Sequence, residues 1–206
     1  MDWTLYWAFL AAAFALAVTP GPDLTYVIAR SIAQGRGAGL LATLGIAGAL
    51  VIHVTLITLG LSRVFLALPG AYAAVKIAGA VYLIWLAVQA FRAGAAPQVA
   101  LAAARPLTIL RQAALSCLLN PKLAVFFIAF LPQFTNPAAG PITPQLFLLG
   151  VSFAAVGLSV LAAAAIAFGP IGAALARHPA VWKWQSRFTG TVLAGLAARL
   201  AWPDGA

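Results

Sequence analysis

Two short runs of this chain combine proline with charge inside long apolar stretches: Thr19-Pro20-Gly21-Pro22-Asp23 and Asn120-Pro121-Lys122. Proline has no N–H to donate and clashes with the preceding helical turn. Where hydrocarbon surrounds the backbone, each freed polar group needs a partner. Such a break therefore persists only inside protein or beside a water-filled cavity. An ionisable side chain at that depth is costly and usually functional. Broken helices at corresponding places in two halves of a membrane protein point to a transport site.

The two runs differ in chemistry. Pro20 and Pro22 withdraw two donors and Gly21 admits unusual dihedrals, so carbonyls of the preceding turn become available to a cation or an ammonium group. Asp23 adds the only acid between Asp2 and Asp204; its plainer reading is an N-cap for a helix restarting at Leu24. Asn120 is suited to cap a helix whose first residue is Pro121. Lys122 between apolar runs suits a carboxylate, and its plainer reading is a snorkelling side chain beside a proline kink. An ammonium site facing a carboxylate site describes a receptor for an amino acid. Direct pairing of Asp23 with Lys122 or Arg111, released as the protein changes state, is the alternative.

The elements that must position these residues are membrane helices. The chain is 64% hydrophobic and 7% charged over 206 residues, against about 45–50% and 25% in a soluble domain. Its formal charge of +9 lies mostly between apolar segments, which is how membrane orientation is encoded, and not in the basic clusters that bind nucleic acid. The partners expected are therefore a lipid bilayer and, from the paired breaks, a small amino-acid substrate, and no nucleic acid.

Six segments reach the length of about 20 residues that a span requires: Leu5–Ile28, Leu40–Leu61, Tyr72–Phe91, Gln112–Leu131, Leu146–Phe168 (ended by Gly169-Pro170) and Val181–Trp202. Residues 93–106 form a linker and Pro132–Pro144 a loop. The expected fold is an all-α integral membrane protein, one transporter domain over 1–206 with halves at about 1–92 and 107–206. Each half holds three segments and opens on a broken one. An odd number of spans per half makes the halves inverted repeats. With the N-terminus outside, Arg30, Arg36, Arg92, Arg105, Arg111, Arg177, Lys183 and Arg187 fall inside, against Arg63, Lys76 and Arg199 outside. Both termini are thus expected on the outer, periplasmic side. Trp3, Trp7, Trp182, Trp184 and Trp202 sit near segment ends, as interfacial anchors do. Gly45 and Ala49 have the small-residue spacing that lets helices approach closely. The N-terminus lacks a basic n-region and its apolar stretch continues, so it reads as a retained first helix.

Other polar residues carry weaker signals. His53 is a candidate proton relay, although a lone helical histidine is more often hydrogen-bonded packing. Lys76 and Tyr82 flank Gly79 in the third segment. Gly150-Val151-Ser152-Phe153-Ala154 misses a nucleophile elbow and has no acid partner. The lone Cys117 excludes an intrachain disulfide and a cysteine-rich zinc site. No phosphate loop, metal cluster or catalytic constellation is legible, so neither an enzyme nor a cofactor is expected.

Taken together, these residues resemble the LysE/RhtB family of bacterial amino-acid exporters. The similarity lies in the first break and in Lys76 with Gly79-Ala80-Val81-Tyr82-Leu83. It continues in Leu119-Asn120-Pro121-Lys122 followed by Phe126-Phe127 and Phe130-Leu131-Pro132-Gln133-Phe134, and more loosely in Arg187-Phe188-Thr189-Gly190 with Gly195. The resemblance covers nearly the whole length. It implies an inner-membrane exporter of amino acids or related metabolites, with exchange of substrate for protons. Many members carry Asn where this chain has Asp23, so lysine, arginine, threonine, homoserine, leucine and cysteine-type compounds all stay open. A passive channel or a non-transporting membrane assembly subunit would share the composition. The number of copies is open, a homo-oligomer included.

Overall fold

A computed structural model describes residues 3–61, 71–92, 101–176 and 179–201. Arg63, Arg177, Trp202 and residues 93–100 of the linker lie outside the described residues, as do the side chains of Lys76, Trp182 and Arg199. The described chain is all-helical, with 90% of it in helix. Helix α1 (Trp3–Val18) and α2 (Pro22–Gln34) flank the first break; α3 (Arg36–Leu56) follows and continues as a π-helical turn over Ile57–Leu61. Next come α4 (Ala71–Arg92), α5 (Pro106–Leu118) and the short α6 (Pro121–Val125). The latter runs on through a π turn, Phe126–Phe130, and a 3-10 turn, Leu131–Phe134. The chain closes with α7 (Ile142–Ala176) and α8 (Pro179–Ala201). Two helical stretches, Arg36–Gly60 and Ile142–Gly169, are each long and apolar enough to cross a bilayer. Counting each bent pair as one span gives up to four, the pairs being bent by 50° at the first break and 44° at the second.

Several boundaries differ from the sequence expectation for physical reasons. The helix after the first break starts at Pro22, one turn position ahead of Asp23, with Gly21 at the cap and no side-chain cap bond. Proline at the first helical position has a preset φ and no N–H to lose, so the helix begins there. Asp23 is therefore not the N-cap; it lies in the first turn, where the helix dipole favours an anion. Gly169-Pro170 does not stop the fifth segment, since α7 runs through it to Ala176. A Cβ on Gly169 would stand 2.9 Å from the Arg36 Cβ and 3.0 Å from its nitrogen. That close approach holds α7 against the start of α3 and overrides the local breaker. The loop expected at 132–144 is partly wound into 3-10 turns at Leu131–Phe134 and Pro137–Ala139, and Gln145 ties it down by bonds to the Asn136 and Gly140 carbonyls.

The packing centres on α3, which lies against α2, α5 and α7. Helix α7 also covers α1 and α2, while α4 and α8 pair with each other and reach the centre through the Phe126–Phe130 turn and α1. In lipid there is no water to drive helices together, so close van der Waals packing carries the association. Phe9, Phe126, Phe127, Phe130 and Phe134 are fully buried and interlock, Phe126 lying 4.7 Å from Phe153 and 5.1 Å from Phe130 between ring centres. Gly35 has a φ of 84° and makes the turn between α2 and α3, a backbone region that favours glycine.

Gly45 answers to the small-residue spacing read in the sequence. A Cβ there would overlap the Leu110 carbonyl oxygen and stand 3.0 Å from the Ala113 Cβ, whereas nothing lies within 4 Å of one on Gly48. Gly45→Ala is expected to destabilise the α3–α5 contact by about 1–3 kcal/mol, the usual cost of overpacking. Gly48→Ala should be close to neutral. Apparent melting temperatures of the two variants in one detergent check this.

Candidate functional site

Both breaks expose a carbonyl in the same way, and both are repaired from another part of the chain. A helical carbonyl normally accepts from the N–H four residues on. For Leu16 that residue is Pro20, and for Cys117 it is Pro121, so each oxygen loses its usual donor. Each break tightens to take a shorter bond, from the Thr19 N–H to Leu16 O at 3.3 Å and from the Asn120 N–H to Cys117 O at 3.1 Å. A basic side chain then arrives at each oxygen from a distant segment. Lys122 Nζ donates to Leu16 O at 3.3 Å and to Thr19 O at 3.1 Å. His53 Nε2, from α3, lies 3.2 Å from Cys117 O. A carbonyl oxygen only accepts, so Nε2 carries the hydrogen. The His53 ring is stacked on Phe127 at 5.8 Å.

The remaining polar atoms join the breaks directly. Asn120 is the cap expected from the sequence, its Oδ1 accepting from the Lys122 N–H at 3.0 Å. Its amide donates to Asp23 Oδ2 at 2.8 Å. The other carboxylate oxygen, Asp23 Oδ1, is buried and accepts no hydrogen bond among the described residues. Neither Lys122 nor Arg111 donates to the Asp23 carboxylate; Asn120 links that carboxylate to the Lys122 backbone N–H. Gly21 makes room for the lysine. Its backbone is extended, at φ −162°, which any residue adopts; the demand is spatial, since a Cβ would stand 2.9 Å from Lys122 Nζ.

The structure thus brings Pro20, Gly21, Pro22, Asp23, Asn120, Pro121, Lys122 and His53 into one cluster beside a small cavity. Tyr82 stands apart from it, stacked on Trp85 at 5.5 Å within α4. The Ser152 hydroxyl lies 2.9 Å from the Tyr6 hydroxyl in mid-helix, a packing arrangement.

A second polar cluster was not legible as such in the sequence. Arg30, buried in α2, donates to Tyr26 Oη, Gln34 Oε1, the Ala102 carbonyl and Gln112 Oε1 at 2.9–3.1 Å. Gln34 also holds the backbone of Ala104 in both directions. The residues leading into α5 are thereby strapped to the end of α2. Arginine without a nearby acid reads as an orientation charge; only the fold shows that neutral oxygens satisfy it.

A bent-helix membrane architecture whose two proline breaks share one polar cluster defines a class of multi-pass membrane proteins. A family profile described as LysE type translocator matches residues 14–203, and the chain belongs to that family. It is 28% identical to an "Uncharacterized membrane protein" of Vibrio cholerae serotype O1 over 98% of both chains. It is 31% identical to a "Homoserine/homoserine lactone efflux protein" of Salmonella typhimurium, over 78% of this chain and 79% of that one. A "Leucine efflux protein" of Salmonella choleraesuis is 25% identical over 95% of this chain and 94% of that one. No solved structure matches the chain significantly.

Replacing His53 by Phe keeps a ring against Phe127 and removes the donor to Cys117 O. The expected loss is about 1 kcal/mol, in the range of single buried or interhelical hydrogen bonds. Thermal unfolding of the detergent-solubilised variant checks it. An unchanged midpoint would mean that the shorter bond from Asn120 already satisfies that carbonyl.

Proposed function

We propose that the protein exports an amino acid or a close derivative across the bacterial inner membrane in exchange for protons, through the cluster at the two breaks. The observation that carries this reading is the seat of Lys122. Its primary ammonium rests on the Leu16 and Thr19 carbonyls, beside a buried carboxylate oxygen of Asp23 that accepts no bond. The first break therefore already binds the primary ammonium that α-amino acids other than proline carry. When a substrate ammonium takes those carbonyls and Asp23, Lys122 is freed, and with Asn120 it meets the substrate carboxylate. One ammonium replaces another, so no uncompensated charge is left in the low-dielectric interior. The names of the homoserine and leucine efflux relatives support amino-acid-like cargo.

In this reading residues 1–206 form one six-span domain of two inverted repeats, with both termini outside. The helix pairings support it, because they occur in exchanged form. Helix α3 packs on α5 as α7 does on α1, and the equivalent helices α3 and α7, and α4 and α8, pair with each other. The Arg30 bond to Ala102 supports a common cytoplasmic side for Arg30, Arg105 and Arg111.

Asp23→Ala, made in protein that still reaches the membrane, is expected to lower export about ten- to a hundredfold, the worth of a charge-assisted hydrogen bond of about 1.5–3 kcal/mol. Efflux of amino acids from preloaded cells measures it. Export at the wild-type rate would remove Asp23 from the mechanism.

A further inference from the structure

The cavity at the first break has two unlike ends. Asp23 and Lys122 close one. The rest is hydrocarbon: Ile46 and Leu50 from α3, and Phe153, Gly157 and Leu161 from α7. The hydroxyl of Thr19, which also borders it, already donates to the Ala15 carbonyl at 2.7 Å. About 40 Å³ stands open, room for water but less than a whole amino acid needs.

Gly157 is the unusual part of this wall. Gly39, Gly45 and Gly150 serve packing, since a Cβ on each would meet a neighbouring side chain or backbone at 3.0 Å or less. Gly157 is equally buried, yet nothing lies within 4 Å of where its Cβ would stand. Glycine within a helix is less favourable than alanine, and no neighbouring helix demands it here. What it provides is space, on the cavity side of α7.

We propose, resting on the export reading above, that the apolar half of this cavity is the side-chain subsite of the transported amino acid. It takes an uncharged aliphatic side chain, and Gly157 sets how long that chain can be. The main-chain ammonium and carboxylate belong at the Asp23–Lys122 end, in the space Lys122 vacates. A side chain ending in a charge is rejected, because these walls give it no partner and burying an unpaired charge is prohibitive. Asp23, the only acid among the described residues, is already committed to the α-ammonium.

The test uses the purified full-length chain in proteoliposomes loaded with labelled leucine, alanine or lysine. Wild type is expected to move leucine and alanine but not lysine. Gly157→Leu should lower leucine transport relative to alanine by about tenfold or more, the discrimination that methylene-sized changes in an apolar pocket give, with Gly157→Ala in between. Should Gly157→Leu fail to give monodisperse protein, Gly157→Ala and Ile46→Ala carry the test. Ile46→Ala enlarges the same wall and should favour methionine over leucine. Equal loss of leucine and alanine in the Gly157 variants, or lysine moving as fast as leucine, overturns the subsite. If Asp23→Asn abolishes transport while the Gly157 variants keep the wild-type leucine-to-alanine ratio, only the subsite falls. If wild type moves none of the common amino acids, the export reading falls and the subsite with it.

Discussion

The arrangement turns on two carbonyl oxygens that their own helices cannot satisfy. Leu16 and Cys117 each precede a proline by four residues, and in a membrane interior a polar backbone group without a partner costs several kcal/mol. The shorter bonds within each break offset only part of that. The rest comes from Lys122 and His53, which lie 106 and 64 residues away from the carbonyls they serve. Neither break is stable in isolation: α1–α2 needs α6, and α5–α6 needs α3. Gly21 follows from this, because the lysine tip needs its space. Asn120 follows as well, holding the first turn of α6 with one end of its amide and Asp23 with the other.

The chemistry of the lock suits exchange more than rigidity. Lys122 rests on neutral carbonyls, bonds weaker than a paired carboxylate would give, and reaches them on a flexible four-carbon stem. Asp23 keeps one oxygen bonded to Asn120 and one oxygen unused. The Arg30 cluster differs. Its planar guanidinium is held by acceptors from α2, from the residues leading into α5 and from α5 itself. A fork bonded on several sides is a fixed strap. One end of the bent pair is thus anchored while the break in its middle is held by a movable side chain.

Local chemistry made part of this legible. Asn is a favoured cap and proline a favoured first helical residue, as Asn120 and Pro121 are here, and the length of α3 follows from its apolar run. Asp23 was harder: as a capping residue it fits the local rules, but Pro22 starts the helix earlier and the true partner is 97 residues away. The Gly169-Pro170 stop failed for a similar reason, since the approach of Arg36 decides the course of α7. Partners that are neutral oxygens distant in the chain, as Cys117 O is for His53 and Ala102 O and Gln112 Oε1 are for Arg30, leave no mark in sequence. Gly157 looks like any glycine in an apolar run until α1, α2, α3 and α6 close around the space beside it.

The two breaks correspond in backbone but not in what surrounds them. Beyond the second, the π turn at 126–130 buries Phe126, Phe127 and Phe130, which pack with Phe9, Phe134 and Phe153. An extra residue per turn widens the helix and lets successive aromatic rings face the same core. Beyond the first, the wall is made of Ile46, Leu50, Leu161 and Gly157, and a cavity results. The two breaks thus contribute different groups to one cluster. The first supplies carbonyls that their own helix leaves short of donors, an acid and an opening. The second supplies the lysine and the asparagine that reach across to it, and a packed aromatic base against which that reach is held.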